Sequence, residues 1–305
     1  MSPLAQQSVT LLPASDWVTA FQVNLGKRVQ RGVLMSHYTS IGIGGPAALL
    51  GRARNDAEMA QMVVLSNRND VEVLIVDDGQ NLLVGDWGFD GFALRLEGDF
   101  NRLTPVAGGL SVGGACSVGR VLDACLAARL DAMMLAPLDG QIGAALLRCT
   151  ERQREAIEPL VERVEMIDIH GRLSSVGRLS DLPDDVLTIT RLQLRGAAIL
   201  DDAGICDRVE ARRMLIRSRR PQHPHLGVIF KMEDGSHAAT AIRKVGLAGM
   251  TLGQVGIPKS HPDTLINLGG ATAREALDLI DCVAARLRGR LGLNLNLDLR
   301  LVGSF

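Results

Sequence analysis

Val71-Glu72-Val73-Leu74-Ile75-Val76-Asp77-Asp78-Gly79-Gln80-Asn81 organises the first third of this 305-residue chain. An apolar run of strand length ends in a turn built from Asp, Gly and Asn, the residues that tolerate tight backbone bends. Upstream, Ala47 to Gly51 reads as another strand. Asn55-Asp56-Ala57-Glu58 then reads as a helix start, with Asn55 as cap and Glu58 reaching back in a capping-box-like pair. Met59, Met62 and Val63 fall on one face of that helix. Strand, helix and strand in succession make a βαβ unit with a right-handed crossover. Gly79 then lies at the carboxyl end of a parallel strand, where open α/β sheets bind ligands.

Downstream the pattern changes. From Phe92 to Gly114 short strands alternate with glycine, and Ser117 caps a helix whose Val118, Val121, Leu122, Cys125 and Leu126 form one apolar stripe. Val161 to His170 and Val186 to Leu194 read as strands. A Gly, Ala and Asp rich stretch between Arg195 and Asp207 marks a boundary. A helix is expected from Asp207 to Arg219, and another capped at Ser236. Thr272-Ala273-Arg274-Glu275 is a capping box opening a long helix with Leu277, Ile280, Ala284 and Leu287 inward. Leu293 to Leu301 alternates strictly, so one strand is expected with its leucines on a core and Asn294, Asn296, Asp298 and Arg300 opposite.

Composition bounds the function. Apolar residues at 47% suffice for a core in each of two or three domains, and a net charge of −1 supplies no basic field for nucleic acid. The five cysteines are an odd number without a C-x-x-C pair and read as reduced thiols of a cytoplasmic protein. No signal peptide, membrane span, metal-ligand spacing, P-loop or nucleophile elbow is found.

Four segments carry a more specific signal: Gly42-Ile43-Gly44-Gly45-Pro46-Ala47, Asp77-Asp78-Gly79-Gln80-Asn81-Leu82-Leu83-Val84, Gly227-Val228-Ile229-Phe230-Lys231, and His261 to Ala273. In order and spacing they resemble the UDP-N-acetylenolpyruvoylglucosamine reductase (MurB) family, and the resemblance runs from Tyr38 to Gly303. It implies an α+β fold, with a two-part FAD-binding domain of the vanillyl-alcohol-oxidase/MurB type and a C-terminal α+β substrate domain. The expected divisions are an arm at 1–15, FAD-binding subdomains at 16–89 and 90–200, the substrate domain at 205–292, and a terminal strand at 293–305 that returns to the FAD-binding part.

The implied activity is that of a UDP-N-acetylmuramate dehydrogenase in peptidoglycan precursor synthesis. Hydride passes from NADPH through FAD to the enolpyruvyl group of a UDP-sugar. The resemblance assigns Gly44, Gly45, Pro46, Gly79, Gln80, Asn81, Leu82, Gly140 and Gly143 to the flavin. Glycines there would let backbone N–H groups approach the diphosphate as an anion nest. Lys231 would hold a substrate anion, and Asp298, at the position of a family glutamate, would polarise its carboxylate.

Departures concentrate in these loops. Asp77 and Asp78 replace flavin-loop glycines, Asp139 and Gln141 replace a proline and a threonine, and Cys149 replaces an asparagine. Val228 occupies the position of the serine that protonates the carbanion, and valine has no transferable proton. Loss of a positioned general acid costs about 10² to 10⁴ in rate. His223, His225, His237 and His261 are candidate substitutes, and no match to the family's Y-R-x-S segment exists between Gly171 and Arg195. Arg212, Arg213, Arg217, Arg219 and Arg220 form a basic cluster, either a nucleotide contact or a solvated helix face. Two further expectations follow: a non-catalytic homologue acting as a binding or scaffold protein, and a flavin oxidoreductase of altered substrate.

Overall fold

The computed structural model describes residues 16–195, 201–218, 221–232 and 238–305. The first part comprises α1 (Asp16–Leu25), β1 (Val29–Leu34), β2 (Pro46–Ala53), α2 (Asp56–Arg68), β3 (Val73–Val76), β4 (Leu82–Val84) and β5 (Phe89–Leu96). Asn55 caps α2 by accepting from the Glu58 N–H at 2.9 Å, while Glu58 reaches back to the Arg54 N–H, also at 2.9 Å. The sheet runs β1-β2-β5-β3, with β5 parallel to both β2 and β3 and lying between them. On one side Phe21 of α1 packs edge-on against Phe92 of β5 within a core that includes Met59, Met62 and Val63.

The second part is a five-stranded antiparallel sheet with helices on one face. Its elements are β6 (Leu103–Val106), β7 (Gly109–Gly113), α3 (Val118–Ala127), α4 (Ile142–Leu147), α5 (Glu151–Ile157), β8 (Val161–Asp168), β9 (Leu173–Val176) and β10 (Val186–Arg195). The order is β6-β7-β10-β8-β9. Ser117 caps α3 by accepting from the Arg120 N–H, and Val118, Val121, Leu122 and Cys125 are buried against Leu192 and Leu194 of β10 in a single core.

The last part holds α6 (Asp202–Ser218), β11 (Phe230–Met232), α7 (Ala239–Lys244), β12 (Thr251–Leu252), β13 (Val255–Gly256), β14 (Ile266–Asn267), α8 (Ala273–Leu291), β15 (Leu295–Leu297) and β16 (Arg300–Val302). Its core takes in Ile41, Ile43 and Leu83 from the first part, so the two share buried surface. Asp86 accepts from the Ala273 and Arg274 N–H groups at 2.8 and 3.0 Å, placing a carboxylate at the N-terminus of α8 beside the Thr272–Glu275 capping box. Asn267 donates to the Ile41 carbonyl at 3.0 Å and binds the same two regions together.

Several sequence expectations are corrected here. The terminal segment is two short strands with different partners: β15 runs antiparallel to β11, and β16 runs parallel to β4. The leucines do not all face a core, since Leu297 and Leu301 are exposed, at 42% and 43%. A local alternation cannot reveal that the pairing partner changes at residues 298–299. Helix α6 begins at Asp202 rather than Asp207. The inward stripe of α8 is Ala273, Ala276, Leu279, Ile280, Val283 and Leu287, and Leu277 and Ala284 are only half-buried. The arm at 1–15, Ser236, His237, Arg219 and Arg220 lie outside the described residues, as do the side chains of Arg212, Arg213 and Arg217.

Candidate functional site

A cavity of about 480 Å³ opens where the three parts meet. Its walls come from the turn after β3, the segment before α4, the end of α4, residues 225–231, the 260–264 loop and Asp298. The β11–β15 ladder builds one wall. Lys231 pairs with Asn296, and the Asp298 N–H donates to the Ile229 carbonyl at 3.1 Å, which makes Lys231 and Asp298 diagonal neighbours on one face. Lys231 Nζ and Asp298 Oδ2 meet at 2.6 Å, both side chains partly exposed to the cavity. Two residues later the Arg300 N–H donates to the Asn81 carbonyl as the chain crosses to β4. Asp298 therefore stands at the handover between parts, and it also lines a second cavity of about 380 Å³.

Gln80 and Asn81 of the turn Asp77-Asp78-Gly79-Gln80-Asn81 form another wall, and Asp77 lines the second cavity. Asp77 Oδ1 accepts from the Gly79 N–H at 3.1 Å, and Asp78 Oδ1 accepts from the Gln80 N–H at 3.4 Å. Asp78 Oδ2 also takes the Gln80 side-chain amide at 2.9 Å. Asp77 Oδ2 is paired with Arg148 Nη1 at 3.1 Å, across to the end of α4. With the Asn81 amide turned so that its oxygen faces Arg148, Nε donates to it at 3.0 Å. Burial, and then the adjacent Asp77 carboxylate, push Asp78 up to about 6, while the Gln80 N–H and Arg148 pull the other way.

The glycines of the three loops serve packing within the chain. A Cβ on Gly79 would strike the Tyr38 carbonyl, and one on Gly45 the Asp86 carbonyl. The Gly45 N–H donates to the Gly85 carbonyl at 2.9 Å, Gly44 lies against Met35 and Val84, and Pro46 opens β2. Leu82 is buried in β4. The Gly143 N–H donates to the Gly114 carbonyl at 2.9 Å. The open side of Gly140 is filled by Asp78, whose Oδ2 would stand 2.5 Å from a Cβ there. A flavin diphosphate does not fit this turn as it stands, because the donors expected to face it are turned to the chain's own carboxylates.

Val228 lines the larger cavity with a side chain that has no transferable proton, and His225 and His261 line it too. His225 Nδ1 lies 2.9 Å from the Leu226 carbonyl, and His261 Nδ1 lies 2.9 Å from Ser260 Oγ. His223 is exposed outside that wall. Cys149 is buried at the cavity edge, its thiol donating to the Ala145 carbonyl and pushed up to about 11 by burial. Tyr38 is elsewhere, under the Arg95 guanidinium, its hydroxyl accepting from Arg52. The sequence reading missed Arg148 and Arg243, both of which line the larger cavity. The signal for Arg148 was a lone cation closing the apolar run Ile142 to Leu147.

Residues 220–302 match the family model described as UDP-N-acetylenolpyruvoylglucosamine reductase, C-terminal domain. The chain is 29% identical over 294 residues to the UDP-N-acetylenolpyruvoylglucosamine reductase of Myxococcus xanthus, covering 92% of this chain and 94% of that one. It is 28% identical over 290 residues to UDP-N-acetylenolpyruvoylglucosamine reductase 2 of Symbiobacterium thermophilum, covering 90% and 92%. The chain resembles reductases of this name over nine tenths of its length, and its C-terminal part matches the family's model. The crystal structure of MurB from Thermus caldophilus superposes with a TM-score of 0.73 at 24% identity, over 90% of this chain and 99% of that one, and so has the same fold. Of the positions where the sequence departs from the family pattern, Cys149 and Val228 line the larger cavity and Asp77 the smaller one. Among the described residues no helix is long and apolar enough to cross a membrane, and no group of side chains is arranged to hold a metal ion.

Proposed function

We propose that this chain is a reductase of the UDP-N-acetylenolpyruvoylglucosamine type, acting on a UDP-linked sugar in peptidoglycan precursor synthesis. The observation that carries this reading is the Lys231–Asp298 pair, set by the β11–β15 register in the wall of a cavity large enough for a substrate headgroup. Relatives bearing that name align over nine tenths of the chain and support the same reading.

Lys231 offers three N–H donors, of which Asp298 uses one, so the ammonium can take a substrate carboxylate or phosphate without leaving its partner. Asp298 then orients the cation through their ion pair. Val228 presents an aliphatic surface in this wall and has no proton to donate. A proton for the substrate carbon then comes from water or from another group on this wall. His225 lines that wall with its Nδ1 held against the Leu226 carbonyl, which fixes the ring. A flavin reduced by NADPH supplies the hydride in the family reaction. The turn 77–81 would have to release its own carboxylates to receive such a group.

The test is substrate-dependent NADPH oxidation by the purified full chain with FAD supplied, together with calorimetric binding of the UDP-sugar. Saturable binding that Lys231→Met weakens, and turnover that requires the enolpyruvyl group, are expected. Absence of both would overturn the reading. Binding without NADPH oxidation would identify a non-catalytic homologue.

A further inference from the structure

We propose that the turn 77–81 carries an internal substitute for a dinucleotide's diphosphate, the Asp77 and Asp78 carboxylates, so that FAD is held weakly and exchangeably rather than as a resident group. The inference rests on the reductase reading, which is what brings a flavin to this turn. The first observation is occupancy: the N–H groups of Gly79 and Gln80 already donate to the two carboxylates. The second is closure. Asp77 reaches Arg148 at the end of α4, and Asp78 fills the open side of Gly140, so both carboxylates bridge from the turn to the segment that faces it. The third is charge. Asp139 faces Asp78 from that segment and adds a third acid, with Arg148 as the opposing cation in contact. A diphosphate entering here adds its own negative charge to this set, in half-buried surroundings where repulsion is poorly screened.

The backbone of the turn is pinned from its other side. The Gln80 carbonyl accepts from the Gly227 N–H at 2.7 Å and the Asn81 carbonyl from the Arg300 N–H at 2.9 Å. The peptide planes therefore cannot turn over without breaking the link to the last part of the chain, and access depends on the two side chains swinging out. When they do, Arg148 loses Asp77 and becomes available to a phosphate oxygen, so the plug and the phosphate compete for the same donors.

The experiment titrates the full chain with FAD and, separately, with riboflavin, which has the ring but no phosphate, by flavin fluorescence and equilibrium dialysis. Wild type is compared with Asp77→Gly/Asp78→Gly and with Asp77→Asn/Asp78→Asn, which keeps side-chain volume and removes charge. The double glycine variant is expected to bind FAD at least about 10²-fold more tightly than wild type and the asparagine variant about tenfold, with riboflavin unchanged within about threefold. Equal FAD affinity in wild type and variants, or an equal gain for riboflavin, overturns the inference. If wild type holds FAD tightly and oxidises NADPH with substrate, the inference falls and the reductase reading stands. If folded variants take up no flavin at all, both fall.

Discussion

Two ion pairs flank adjoining cavities that share Arg148 and Asp298, and they differ in what they leave to a ligand. Lys231–Asp298 is set by a strand register, and its ammonium keeps donors directed at open space. Asp77–Arg148 spans from a turn to a helix end, and its carboxylate also consumes a backbone N–H that a ligand would use. The same chemical groups thus make a receptive wall in one place and a closed one in the other. Charge type alone does not identify a binding site; what matters is whether the donors remain unspent once the chain has satisfied itself.

The largest expected effect tests whether a hydroxyl at position 228 outperforms whatever now delivers the proton on the receptive wall. Val228→Ser restores a hydroxyl in the cavity, and about a 10² to 10⁴-fold rise in NADPH turnover is expected, measured by absorbance in the presence of the UDP-sugar. An unchanged rate in a folded variant would mean that more than this hydroxyl is missing. Next comes Lys231→Met, which leaves Asp298 without its cation and removes the anion's donor. UDP-sugar affinity should fall about 10²-fold by calorimetry, a loss in the range for truncating one member of a hydrogen-bonded charge pair. A loss below threefold would place the substrate elsewhere.

A double-mutant cycle on Asp77→Ala and Arg148→Ala, read by chemical denaturation, is expected to give a coupling of about 1 kcal/mol, larger than the same cycle on Lys231 and Asp298. The Asp77 side chain is 16% exposed and that of Asp298 is 28%, so water screens the first pair less. Reversal of that order would erase the contrast between the walls. The smallest effect concerns Asp78. Its folded pKa of about 6 lies above the ordinary carboxylate value, so the folded chain binds more protons than the unfolded chain between those two values. Stability contributed by this group is therefore greatest below the ordinary value and falls as pH rises to about 6. Asp78→Asn should be more stable than wild type by about 1 kcal/mol at pH 7.5, with the gap shrinking toward pH 4, as followed by thermal melts.

Local chemistry was legible where one short segment contains its own partners. Asn55, Ser117 and the Thr272–Glu275 pair cap their helices as spacing predicts, because cap and donor are three residues apart. The Gly79 turn was legible for the same reason. The placement of Lys231 and Asp298 in one wall was expected from resemblance, but the ladder that joins them pairs residues far apart in the chain. Arg148 was overlooked because its role depends on Asp77, which lies in another part of the fold.

The amino-acid order alone determined the starts of α2, α3 and α8, the βαβ framework and the lack of a transferable proton at Val228, since each depends on residue type or on neighbours within a few positions. Folding in three dimensions decided which N–H groups stay available. Whether Asp77 and Asp78 point to solvent or fill their own turn depends on Arg148 and Gly140, brought up by a separate sheet. The same long-range pairing divides the terminal segment between β11 and β4 and holds Asp298 at the junction.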